Sequence, residues 1–360
     1  MILSLQKLQN KSIFFTKIYI FIQKKKQCIG TGTFGKVYLI QKKDNRIIYF
    51  LKKKTIKFNN QKIKEKTYAI KILKKINFKN KKQINQIQTE RNILVNIESP
   101  FIVQVKYAFQ NSVKLYIVME FCQGGDIFNH MVKHPCFPEN KVKFYAVEIF
   151  LAIKTLHENQ ILYRDLKPEN ILITSSGNIK LTDFGLSKSQ FKNKQLTYTY
   201  CGTPEYMSPE MLKKEGHDFS TDWWSYGAVI YEMLNGAPPF YSKNQKDMIE
   251  NIKKTDVQLG KNLSVECQDF LKGLLQRDVF KLGNGPNGAQ DIQNHSFFKN
   301  IDWESFLQLK VEPPFIPKIC NRYDLSNIDQ DFVRQKSCDT PFEQFERNSK
   351  KNNFQGFSYE

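Results

Sequence analysis

Between residues 161 and 185 the chain sets charge inside apolar sequence. Ile161-Leu162 lead into Tyr163-Arg164-Asp165-Leu166-Lys167-Pro168-Glu169-Asn170, Ile171-Leu172-Ile173 follow, and Asp183-Phe184-Gly185 comes thirteen residues after Asn170. Charge flanked by apolar runs is costly unless it is paired or used. The fold must therefore bring partners to Arg164, Asp165, Lys167 and Asp183 at the edge of a core, and 360 residues leave room for two lobes to do so.

Other segments supply candidates. Cys28 to Ile40 alternates apolar residues around Gly30-Thr31-Gly32-Thr33-Phe34-Gly35-Lys36-Val37, fitting a strand, a tight turn and a returning strand. Glycines there let backbone N–H groups approach phosphate oxygens, and the lack of a following helix signal disfavours a dinucleotide fold. Tyr68-Ala69-Ile70-Lys71-Ile72-Leu73 is a short strand with one lysine among apolar neighbours, which needs an anion or must lose its proton. Asn85 to Val95 predicts a helix with Ile87, Glu90 and Leu94 on one face, making Glu90 the natural partner of Lys71.

Arg46 to Lys66 is too long for a hairpin connection and carries eight Lys and Arg, so it reads as an inserted surface loop. Phe101 to Val105 and Leu115 to Met119 are strand-like and lead to Gly124-Gly125, a change of direction between two domains. Beyond it the pattern turns helical. Pro138-Glu139 opens a helix ending near His157, and Asp222 to Leu234 is apolar on nearly every face, so it is expected at the centre.

The net charge is +20, and residues 1 to 89 hold 23 Lys and Arg against Asp44 and Glu65 alone. With no aromatic–basic interleaving, this reads as a lysine-rich surface and no nucleic-acid partner is expected. The competing reading, a nucleic-acid-binding module, rests on that basic first quarter only. Seven cysteines, odd in number and without CxxC spacing, point to a reducing compartment and away from a zinc site or disulfide framework. The apolar stretch Ser12 to Ile22 is interrupted by Lys17, followed by Lys24-Lys25-Lys26 and too short to cross a bilayer, so no transmembrane segment is expected.

Taken together, residues 27 to about 298 resemble a eukaryotic protein kinase domain. The glycine loop, Lys71, Glu90, the glycine pair, YRDLKPEN, DFG, Ser208-Pro209-Glu210 and Asp222 occur in that family's order. Tyr163 in place of the usual histidine, with Cys201-Gly202-Thr203-Pro204-Glu205-Tyr206, resembles the AGC group. Pro313-Pro314-Phe315-Ile316-Pro317, Asp339-Thr340-Pro341 and Phe354-Gln355-Gly356-Phe357-Ser358-Tyr359 resemble that group's tail, its turn motif and its hydrophobic motif. Phe184 to Lys188 and His295 to Phe298 look closest to ribosomal-protein kinases of the RSK type.

The resemblance implies an α+β, bilobal kinase fold: an extension over 1–26, a kinase domain over 27–298 (N lobe 27–119, hinge 120–125, C lobe 126–298), and a regulatory tail over 299–360. It implies ATP and Mg2+ as cofactors. Asp165, Lys167 and Asn170 would be catalytic, and Asn170 and Asp183 would hold metal. ATP would be held by Ile29, Gly30, Thr31, Gly32, Thr33, Phe34, Gly35, Val37, Ala69, Lys71, Glu90 and Leu172. Met119 would gate the pocket, Glu120 and Cys122 would offer backbone groups to adenine, and Asp126 would reach ribose or a substrate arginine.

The same resemblance makes Thr199, Thr340 and Ser358 phosphosites, with Arg164 and Lys188 pairing to phospho-Thr199. Asp126, Glu169 and Glu232 would read arginines of an R-x-x-S/T-like protein substrate. An upstream activating kinase, a monomeric state and a cytoplasmic or nuclear location complete the expectation. Three departures stand out: Lys281 where the family has an arginine paired with Glu210, Ser208 for the alanine of APE, and the insertion. The alternatives left open are a catalytically inactive pseudokinase scaffold and a protein kinase B-like or C-like branch.

Overall fold

The computed structural model describes residues 25–32, 35–42, 66–191, 195–260, 262–278, 281–285, 287–335, 354 and 356–359. The apolar stretch 12–22, loop residues Thr33 and Phe34, residues 43–65, which hold all of the insertion but Lys66, and Thr340 lie outside the described residues.

Five antiparallel strands form the first layer: β1 (Lys25–Gly32), β2 (Gly35–Lys42), β3 (Lys66–Lys74), β4 (Val105–Gln110) and β5 (Lys114–Glu120), in the order β1-β2-β3-β5-β4. Lys66, assigned from sequence to the insertion, is the first residue of β3. Side chains on a strand alternate faces. Tyr68, Ile70 and Ile72 of β3 accordingly join Tyr38, Ile40, Phe109 and Tyr116 on the outer face. Ala69 and Leu73 point to the main core, so Lys71, between them in phase, points that way too.

The helix α1 (Lys81–Asn96) packs below the sheet. It begins four residues before the predicted start, because Asn80 caps it by accepting from the Gln83 N–H. Its buried stripe is Ile87, Glu90, Ile93 and Leu94.

Of the strand-like stretch Phe101 to Val105, only Val105 belongs to a strand of this sheet, as the first residue of β4, and Phe101 to Val103 do not. Phe101, Ile102 and Val103 are buried, but their backbone pairs with Leu181 in the lower half: Val103 N–H donates to Leu181 O at 2.9 Å and Leu181 N–H to Phe101 O at 2.8 Å. The segment is apolar because it seals the junction between the halves, which mimics a strand in sequence.

Below lie α2 (Ile127–Lys133), α3 (Glu139–Glu158), the hairpin β6 (Ile171–Ile173) and β7 (Ile179–Leu181), α4 (Pro209–Lys213), α5 (Ser220–Asn235), α6 (Gln245–Lys254), α7 (Val265–Leu274), α8 (Gly288–Gln293) and α9 (Trp303–Leu307). α5 is buried along almost its whole length, and Trp223 stacks on Phe150 of α3 at 5.5 Å. The tail then climbs past Gly125, where φ is +76° and a Cβ would collide with the carbonyl of Asn327, to α10 (Gln330–Val333) beside β1. No described helix is long and apolar enough to cross a membrane. This is a bilobal α+β architecture.

Candidate active site

The cleft between the lobes gathers the embedded charges. Lys71 donates to Glu90 Oε1 at 2.6 Å and lies 3.3 Å from Asp183 Oδ1. Glu90 is 1% exposed, and its Oε2 has no hydrogen-bond partner among the described residues. Burial alone would push the Lys71 ammonium down, but the carboxylates of Asp183 and Glu90 outweigh it and hold Lys71 above the ordinary lysine range. Lys71 in turn holds the Asp183 carboxyl below the ordinary range. One cation between two carboxylates leaves a negative site, and it opens to the cleft at Asp183, whose side chain is 41% exposed.

The loop opposite is fixed from underneath. Asp222 of α5, fully buried, accepts from the N–H groups of Tyr163 at 2.9 Å and Arg164 at 2.8 Å, and its Oδ2 is 2.8 Å from His157 Nε2. The Tyr163 hydroxyl donates to Thr182 O, and its ring packs on Phe184. Asn170 donates through Nδ2 to both Asp165 O, at 2.7 Å, and Asp165 Oδ2, at 3.0 Å. Lys167 Nζ lies 3.4 Å from Asp165 Oδ1 and donates to Thr203 Oγ1 at 3.0 Å. Arg164 and Asp183 take left-handed backbone angles, φ of 67° and 56°, a conformation that non-glycine residues keep only when their surroundings over-determine it.

Electrostatics separate the two aspartates. Burial raises the pKa of the Asp165 carboxyl against the pull of Lys167 and Asn170, so it is a better proton acceptor than an ordinary aspartate. Asp183 is held as the anion. With the Asn170 amide nitrogen committed to Asp165, its oxygen and the Asp183 carboxylate offer the hard oxygen donors that Mg2+ prefers, so the residues present fit that ion.

The residues expected to line an adenine pocket are partly brought together. Ala69 and Met119 are buried in the main core, and Ile29, Val37 and Leu172 are partly buried against the same core. Gly35 sits where a Cβ would collide with the carbonyl of Ile72. Gly30 and Thr31 lie in β1, which ends at Gly32. Cys122 is buried; the Glu120 N–H already donates to Gln104 O at 3.1 Å, so that group is not available to adenine. Asp126 is taken up partly in capping α2, accepting from the N–H and Nδ2 of Asn129.

The acidic and regulatory candidates divide. Glu169 is exposed, whereas Glu232 is buried and accepts from the Tyr206 hydroxyl at 2.6 Å. Burial, with Glu169 and Glu205 as acidic neighbours, pushes the Glu232 carboxyl up to about 7. Glu205 is an acidic neighbour the sequence reading did not single out. Arg164 donates through Nε and Nη2 to Leu186 O, and its Nη1 is buried with no partner among the described residues. Lys188 Nζ lies 5.1 Å from the centre of the Phe191 ring.

Phe354 and Phe357 are buried on the N lobe. Phe354 meets Phe78 edge-on at 5.6 Å, Tyr359 and Ala108 exchange backbone hydrogen bonds, and Arg91 of α1 donates to Phe357 O and Ser358 O.

A model of the protein kinase domain matches residues 55–298. The chain belongs to the protein kinase family. A second model, the protein kinase C terminal domain, matches residues 319–359, which places the kinase in the AGC group. Its relatives include serine/threonine-protein kinase sgk-1 of Caenorhabditis elegans, 41% identical over 306 residues, covering 85% of this chain and 62% of the relative. Serine/threonine-protein kinase Sgk1-B of Xenopus laevis is 41% identical over 306 residues, covering 85% and 66%. Serine/threonine-protein kinase Sgk1 of Bos taurus is 42% identical over 308 residues, covering 85% and 67%. The chain thus spans about two thirds of the length of these curated relatives. The expected closeness to RSK-type ribosomal-protein kinases gains no support from them.

Two departures from the kinase pattern have local explanations. Ser208 is buried, and its hydroxyl bonds Thr221 Oγ1 at 2.6 Å, so the extra polar atom is satisfied. Lys281 reaches Glu210 Oε1 at 2.9 Å through a single contact, where a guanidinium could make two. Two residues of this kinase went unassigned in the sequence reading. Asp222 was noted only as a motif member; its signal was a carboxylate at the start of an otherwise apolar helix. Arg91 had none beyond adjacency to Glu90.

Proposed function

We propose that this chain is an ATP- and Mg2+-dependent protein serine/threonine kinase. The observation that carries this is the pairing of two differently tuned aspartates: Asp165, raised by burial and steadied by Asn170 and Lys167, and Asp183, kept anionic by Lys71. Bound Mg-ATP supplies the phosphoryl group together with the cations that neutralise its phosphates. Asp165 orients a substrate hydroxyl and takes its proton as the oxygen attacks. Lys167 stands beside Asp165, where negative charge grows during transfer. Lys71, itself positioned by Glu90, holds the phosphate end of the nucleotide, and Asp183 with Asn170 holds the metal.

We further propose a preference for substrates with arginine N-terminal to the target, read by Glu169, Glu232 and Asp126. The proximity of Glu169 to Glu232 supports it. The names of the relatives favour an Sgk1-type branch over a ribosomal-protein kinase branch. Phosphorylation of Thr199 by an upstream kinase completes the site, since Arg164 Nη1, without a partner among the described residues, lies ready for an anion. Ser358 is a second acceptor site, exposed beside Arg91, and Thr340 a third. A cytoplasmic or nuclear monomer goes with this reading.

Transfer of labelled γ-phosphate from ATP to an R-x-x-S peptide tests the activity. The expected result is robust labelling that Asp165→Asn reduces by about 10²- to 10⁴-fold. No transfer by the Thr199-phosphorylated protein would favour a scaffold instead, and equal labelling of peptides with arginine replaced by glutamate would remove the basic preference.

A further inference from the structure

Residues 195–200 of the activation segment alternate: Leu196, Tyr198 and Tyr200 are exposed, Thr197 is buried and Thr199 is half-buried. The inward face is therefore Thr197 and Thr199. Thr197 is bridged antiparallel to His217, each N–H donating to the other's carbonyl at 2.9 Å. Residues opposed in such a pair send their side chains to the same face, so His217 shares the inward side with Thr197 and, two residues on, Thr199. His217 is 3% exposed, and its Nε2 is buried with no hydrogen-bond partner among the described residues. Buried ring nitrogens are normally bonded. Arg164 lies close enough to repel a charge on His217, and its own Nη1 is likewise a buried donor with no partner among the described residues.

We infer that His217 and Arg164 together form the receptor for a phosphate on Thr199, with His217 Nε2 donating the second hydrogen bond. This rests on the reading of Thr199 as the activating phosphosite and assigns a residue that the sequence reading did not include. The groups facing His217 are Arg164 from the catalytic loop, Glu210 from α4, Asp222 from α5 and the adjacent Asp218. In the unmodified protein burial and Arg164 push the His217 imidazole down to about 4, against the opposite pull of the three carboxylates. A phosphate carrying close to two negative charges reverses that balance, so phosphorylation draws a proton onto the ring. The modified loop is then held by a charge-assisted pair rather than by Arg164 alone.

The test uses the full chain, unphosphorylated and stoichiometrically phosphorylated on Thr199. The His217 Cε1 proton is followed by NMR as pH is varied, and the rate of phosphate removal by a phosphatase is measured in wild type, His217→Phe and His217→Asn. In wild type the His217 midpoint moves up by more than one pH unit on phosphorylation. His217→Phe loses phosphate about tenfold faster and loses about tenfold of the activation, as expected for a charge-assisted hydrogen bond, with His217→Asn in between. A midpoint that stays put in wild type overturns the inference even if His217→Phe folds poorly. So does a phosphorylated His217→Phe protein with full activation and unchanged phosphatase protection, and in that case the phosphosite reading stands. If phosphorylated wild type is no more active than Thr199→Ala, the phosphosite reading itself fails, and this inference with it.

Discussion

The two halves of the active site are held in opposite ways. The catalytic loop rests on Asp222, a carboxylate at the foot of a largely buried helix that binds two successive backbone N–H groups and a histidine. The Lys71–Glu90 pair depends on α1, a helix whose outer flank is held by the chain's own terminal residues: Arg91 bonds Phe357 O and Ser358 O, and Phe354 packs on Phe78. The lower half is built once, by folding. The upper half is assembled from elements more than 250 residues apart.

Breaking the lower half should have the largest effect. Asp222→Ala leaves two N–H groups unpaired in the core, each costing about 1–3 kcal/mol, so urea denaturation should show a loss of several kcal/mol and transfer should disappear. A variant with native stability and activity would mean that the loop is held elsewhere.

Breaking the upper half at its charge should act chiefly on transfer, with a stability loss local to α1 because Glu90 is left buried without its cation. Lys71→Met is expected to lower kcat by about 10²- to 10³-fold, the cost of removing one preorganised charge donor, while the catalytic loop stays folded. Steady-state kinetics beside a thermal melt separates these outcomes.

A smaller effect comes from the substrate side. With the Glu232 carboxyl pushed up to about 7, its neutral form prevails below pH 7 and its ionised form above. KM for an arginine-containing peptide should fall severalfold as pH rises through 7, and Glu232→Gln should flatten the profile. Stability runs the other way. Because the folded pKa lies above the unfolded value of 4.5, the native state holds the proton more tightly, and stability declines as pH rises from about 4.5 toward 7.

Much of the site was legible in the sequence because its parts are local. Glycine spacing, one lysine in an apolar strand, and a glutamate in phase with Ile87 and Leu94 each carry their reason within a few residues. What escaped is long-range. Asp222 lies 59 residues from the Tyr163 N–H it binds, and nothing near either residue names the other. Phe101 to Val105 has strand-like composition, yet composition does not say which sheet or partner a strand finds: Phe101 to Val103 pair with Leu181, and only Val105 joins β4. His217 had no pattern at all, since its environment exists only once the activation segment folds beside it.

The contrast between a fixed lower half and an assembled upper half is tested most directly by amide hydrogen exchange on wild type and Phe357→Ala. Phe357 is fully buried, and its loss should undock the terminal segment. Exchange should then quicken through residues 81–96 while residues 163–170 and 220–235 keep their protection. Equal loss in both halves, or no change in α1, would contradict the account.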